Sequence, residues 1–242
     1  MRRGLRRALG AGAIVALIAG VVAFSFAFDA GAISVGAFGA TIGSFLSGVG
    51  NGRLPVTSAY VGGQVNNTPQ VSPGCGRAAP FAAGNSEYEY IAAGGLSRAF
   101  LLHIPTGYQS SRAYPLLLSF HGTGSTAANM QRMTGFSTLA DQAGFVVAYP
   151  QGVRGPYGAT GWSSGGRGHP TLNDTLFVSD MLNTIQARLC INPRHIYASG
   201  FSNGGGMTWM LSCMLARRIA AFASVSGSYY PVKGSCEPGR AV

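Results

Sequence analysis

From Tyr88 onward the chain alternates two hydrophobic patterns. Short continuous apolar blocks are RAFLLHI (residues 98–104), LLLSF (116–120), FVVAY (145–149), HIYAS (195–199) and AFASV (221–225). Blocks of this length read as strands, and the continuous ones as strands buried on both faces. Between them lie longer stretches with apolar residues every three or four positions. One predicts a helix over 126–143, with Gly144 placed to cap it. A Gly-rich loop runs from Gln151 to Pro170. In the next stretch Phe177, Val178, Met181, Leu182, Ile185 and Leu189 form one helical stripe, with Asn173 or Asp174 as its N-cap. A third helix spans 204–216, with Met207, Met210, Leu211, Met214 and Leu215 inward. Strands alternating with helices imply an α/β fold with a doubly wound, mostly parallel sheet. In such sheets sites form at the carboxyl ends of the strands.

The N-terminal third is different. Residues 1–7 carry Arg2, Arg3, Arg6 and Arg7, and residues 8–28 (ALGAGAIVALIAGVVAFSFAF) are uncharged. A basic n-region before an apolar run, followed by Ala30-Gly31-Ala32, reads as a signal peptide. The run is also long enough to span a bilayer, so a signal anchor holding the protein at the membrane stays open. Residues 33–80, rich in Gly, Ala, Ser, Val and Asn, read as a flexible tether. The expected organisation is therefore 1–32 targeting segment, 33–80 tether and 81–242 catalytic-type domain, exported to the cell surface, periplasm or medium.

Charge and cysteine content narrow the classes. The formal charge is +10, but beyond the N-terminus the arginines are single, apart from Arg217-Arg218, with no basic run among aromatics. A solvated basic surface, not a nucleic-acid interface, follows. Cys75, Cys190, Cys213 and Cys236 make an even set in an exported chain, so two disulfides are expected, with three pairings open. Their spacing fits no metal pattern, and no metal or cofactor is expected.

Two stretches match G-x-S-x-G: residues 200–204 and 161–165. With 37 glycines the match itself is uninformative; context decides. A nucleophile elbow needs a strand before it and a helix after it, so that a strained turn lifts the serine hydroxyl out of the sheet. Ser202 has HIYAS before it and GGGMTWML after it. Ser163 lies in a glycine-broken loop and is rejected. His121-Gly122-Thr123-Gly124 follows a buried strand, as does the turn that gives one backbone N–H to an oxyanion hole; the residue after the nucleophile gives the other. Thr123 and Asn203 take those places, and His121 reads as structural.

In order along the chain, YPLLLSFHGTGSTAANM, TGFSTLADQAGFVVAYPQG, Gly161-Trp162, RLCINPRHIYASGFSNGGGMTWMLSC and FASVSGS resemble the polyhydroxybutyrate depolymerase / feruloyl esterase family of secreted serine esterases. The resemblance covers residues 75–242. It implies an α/β-hydrolase fold and ester hydrolysis by a Ser-Asp-His triad, with Ser202 as nucleophile and Thr123 and Asn203 at the oxyanion hole. It places His121, Gly122 and Trp162 about the substrate cleft. It also implies the disulfides Cys213–Cys236 and Cys75–Cys190. Asn173-Asp174 stands where the family has an aspartate pair. The expected partner is an ester, polymeric or small.

The departure lies after Ser202. Glu237 is the one acidic residue there, and no histidine follows. His103 and His195 read as strand residues, and His169 as a loop residue in the wrong chain order for a triad base. The expectation is the N-terminal part of a longer, C-terminally truncated esterase, inactive alone. The alternatives are a catalytically inactive, membrane-tethered α/β binding domain and one chain of a split enzyme.

Overall fold

The computed structural model describes residues 70–155, 158–163, 172–227 and Cys236. The targeting segment, residues 33–69 of the tether and His169 lie outside the described residues.

Six strands form one sheet: β1 (Ser86–Ala93), β2 (Leu96–His103), β3 (Tyr114–Phe120), β4 (Val146–Pro150), β7 (Ile191–Phe201) and β8 (Ala221–Val225). Their spatial order is β1-β2-β4-β3-β7-β8. β1 and β2 pair antiparallel, as do β2 and β4; the other three pairings are parallel. The short β5 (Val153–Arg154) and β6 (Thr160–Gly161) pair separately. Helices α1 (Ala127–Thr134) and α2 (Phe136–Ala143) join β3 to β4, α3 (Asp174–Arg188) precedes β7, and α4 (Asn203–Met214) joins β7 to β8.

The continuous apolar blocks of β3 and β4 arise because both sheet faces are covered there. Leu116, Leu118, Phe120, Ile196 and Ala198 pack in one core with Phe177, Met181 and Leu182 of α3 and Met207 and Leu211 of α4. Leu117 and Val147 alternate to the opposite face, where Met130 and Phe136 of α1 and α2 are also buried. Each fully buried side chain of this kind contributes about 1.5–3 kcal/mol of transfer free energy.

Three expectations change. The helix over 126–143 is two helices, because Gly135 sits at φ 64°, closes α1 and opens α2. The 151–170 loop holds the β5–β6 pairing. Residues 70–80, assigned to the tether, are docked: the Ser72 N–H and hydroxyl donate to the carbonyls of Ile191 and Leu189, and Cys75 is bonded to Cys190. Cys213–Cys236 is the second disulfide, so both pairings implied by the family resemblance are present. Asn173 caps α3, its side chain accepting from the Leu176 N–H.

Candidate active site

β3 and β7 are parallel neighbours, with Phe120 in register with Gly200. Their carboxyl ends therefore bring His121-Gly122-Thr123 beside Phe201-Ser202-Asn203. The approach is close: a Cβ on Gly122 would lie 3.3 Å from the Ser202 Cβ. A Cβ on Gly204 would collide with the carbonyls of Phe120 and His121. Small residues thus let the first turn of α4 sit directly on the turn after β3. Glycine, a poor helix former, stands at 204 because of that turn, and at 205 because a Cβ there would meet the Val225 carbonyl and Gly227.

Ser202 carries φ 55° and ψ −121°, a left-handed backbone costly for a residue with a Cβ. The strain is held from both sides. The Ser202 N–H donates to the Val225 carbonyl at 2.9 Å, and its carbonyl accepts from Gly206 N–H at 3.0 Å. Ser202 and Asn203 are half-buried and Thr123 is exposed, so all three reach the surface.

The other sequence candidates lie deeper. His121 is fully buried; its Nδ1 donates to the Gly122 carbonyl and its Nε2 accepts from Gly152 N–H. Burial pushes its pKa below the usual histidine value, against the smaller opposing effect of the Gly122 carbonyl. It is a neutral structural imidazole. Trp162 is also fully buried, edge-on to Phe120, with its indole N–H on the His121 carbonyl at 2.8 Å. The family resemblance places both about the substrate cleft; in this structure both side chains are fully buried. Both fill the layer behind the Gly122 turn.

His103 bonds Ser86 Oγ and Asp141 Oδ1, and His195 lies near Asn192 at the start of β7, seven residues before Ser202. Ser163 spends its backbone N–H and its hydroxyl on Asp174 Oδ2, both at 2.8 Å. Asp174 Oδ1 accepts from Arg98 Nη2 at 2.7 Å, and the Arg98 guanidinium stacks over Phe177. Asp174 is thus a buried tie between β2, α3 and the loop carrying Trp162. Sequence reading missed this pair. Its signal was an arginine inside an apolar strand block and an aspartate made redundant as a cap by Asn173.

Comparison with known proteins agrees with this geometry. The family model described as Esterase PHB depolymerase matches residues 97–236. The chain is 31% identical over 149 residues to feruloyl esterase B of Piromyces equi, covering 59% of this chain and 27% of that protein. It is 40% identical over 113 residues to a bifunctional acetylxylan esterase/xylanase of Neocallimastix patriciarum, covering 47% of this chain and 16% of that protein. The chain therefore spans well under two thirds of the length of these relatives. Among solved structures, native sOPH superposes with a TM-score of 0.50 at 19% identity, over 65% of this chain and 56% of that one, a likeness of fold.

Proposed function

This chain belongs to the esterase PHB depolymerase family, and on that premise we propose that Ser202 is the nucleophile of an exported carboxylic ester hydrolase. The observation that carries the reading is the backbone of Ser202. A non-glycine residue at φ 55°, between a parallel strand and a helix, is strain with a use: it raises Oγ where β3 and β7 end. The backbone N–H groups of Thr123 and Asn203 are the oxyanion donors, stabilising the charge that develops when Oγ attacks an ester carbonyl.

A serine hydroxyl alone is a weak nucleophile and needs a base. No histidine follows Ser202, and His103 and His121 are engaged elsewhere. On this reading the acid and base come from polypeptide other than the described residues, a continuation or a separate chain. Feruloyl or acetyl esters on polysaccharide are the substrate class that the names of the relatives favour. Two disulfides and the basic–apolar N-terminus support export, with residues 8–28 as cleaved signal or anchor.

The test is labelling with a fluorophosphonate probe. The chain extended through its downstream reading frame should label at Ser202, and Ser202→Ala should not. Equal labelling of both would overturn the reading. No labelling of either would leave the inactive tethered domain.

A further inference from the structure

Trp162 joins the two halves of the proposed oxyanion hole. On one side its indole N–H donates to the His121 carbonyl at 2.8 Å, one peptide before Gly122 and two before Thr123. On the other, its backbone N–H donates to Asn203 Oδ1 at 2.7 Å, and its carbonyl accepts from Asn203 Nδ2 at 3.2 Å. Asn203 therefore uses its side-chain amide as a two-point clamp on the backbone of one residue, bonding the peptide units on either side of the Trp162 Cα. The loop is tied again two residues before Trp162 and one residue after it. The Thr160 carbonyl accepts from Gly124 N–H, and Thr160 Oγ1 donates to the Ser125 carbonyl. Ser163 is held by Asp174, which Arg98 holds in turn. Gly161 fits between the two sides: a Cβ there would lie 2.9 Å from Asn203 Oδ1 and 3.9 Å from Thr123 Oγ1.

We propose that Trp162 and the Asn203 side chain are positioning residues that fix the separation of the Thr123 and Asn203 backbone amides. Two donors that must meet one oxygen need a spacing held to a fraction of an ångström. The turn after β3 and the first turn of α4 belong to different elements. The strand pairing fixes where those elements start, not how their amides are spaced. The bracket supplies that constraint through the buried Trp162 side chain and the half-buried Asn203 amide. It also accounts for a fully buried tryptophan whose one polar atom is spent on a carbonyl of the opposite turn.

The inference rests on Ser202 being the nucleophile, and the test separates the two. Fluorophosphonate inactivation is measured as a maximal rate and a half-saturating concentration, in the chain extended through its downstream reading frame. The variants are Trp162→Phe, which keeps a ring and loses the N–H, Asn203→Ala, which opens the clamp, and Asn203→Asp, which keeps only the acceptor. The expected result is a maximal rate about 10- to 100-fold lower in Trp162→Phe and Asn203→Ala, with half-saturation within about twofold. Asn203→Asp should fall between these and wild type. An unreactive wild type sinks the nucleophile and the bracket together. A reactive wild type with unchanged variants, or with only half-saturation altered, sinks the bracket alone. Loss of folding throughout the series, Asn203→Asp included, also overturns it, since the contacts would then hold the fold instead of the amide spacing.

Discussion

Arg98 and Asp174, 76 residues apart, meet at 2.7 Å with both side chains 1% exposed. The pair is completed by Ser163 on the second carboxylate oxygen and by Phe177 under the guanidinium. A buried ion pair contributes little net stability over an apolar pair, but losing one partner strands the other charge. Asp174→Ala should therefore cost about 3–5 kcal/mol in urea unfolding. Arg98→Met with Asp174→Leu should recover most of that loss. A single variant within about 1 kcal/mol of wild type would contradict the burial of the pair.

The Ser202 backbone predicts stability and activity moving in opposite directions. Glycine takes φ 55° without a Cβ penalty. Ser202→Gly should raise unfolding free energy by about 1 kcal/mol over Ser202→Ala, while both abolish probe labelling. Thermal unfolding of the two variants side by side decides it. A glycine variant no more stable than the alanine one would mean the turn is unstrained.

His121 predicts a pH dependence. Burial holds its folded pKa below the ordinary 6.5. The unfolded chain therefore binds the proton at higher pH than the folded one. The stability contributed by neutral His121 is complete above about pH 6.5 and is lost as pH falls toward the folded value. Urea unfolding of wild type should weaken over that range with a slope contribution of up to about 1.4 kcal/mol per pH unit. His121→Gln should be less stable at neutral pH but show a shallower slope. Parallel curves would exclude His121 as the titrating group.

The disulfides differ in the length of chain they close, with sequence separations of 115 and 23. By loop-closure entropy the longer is worth about 5 kcal/mol and the shorter about 3.5 kcal/mol. Cys75→Ala/Cys190→Ala should thus lower the melting temperature more than Cys213→Ala/Cys236→Ala. The reverse order would show that local contacts around residue 236 outweigh chain entropy.

The fold was legible where local sequence and tertiary burial agree. β3 and β4 are covered on both faces, so their apolar blocks stand out; β8 coincides with its apolar block although it is an edge strand with no fully buried residue. β1 was not named, because Tyr88 and Tyr90 are exposed along the same strand and blur its alternation. β5 and β6 are two residues each, too short for a period. Residues 70–80 look like linker, since Pro73-Gly74-Cys75-Gly76 carries turn signals. They dock through Ser72 and Cys75, whose partners lie more than a hundred positions away. The elbow at Ser202 was legible because its spacing is local. The bracket was not, because it joins residues 41 positions apart through backbone carbonyls and one side-chain amide, which leave no pattern along the chain.

The Cys75–Cys190 bond has a consequence for how the chain responds to proteolysis. It makes a covalent ring holding Thr123, Trp162 and Asp174, while Ser202 hangs from the ring through β7. One backbone cut between residues 124 and 189 opens the ring but releases nothing. A nicked molecule therefore keeps its apparent mass until the disulfide is reduced, and only then separates the Thr123 turn from Ser202.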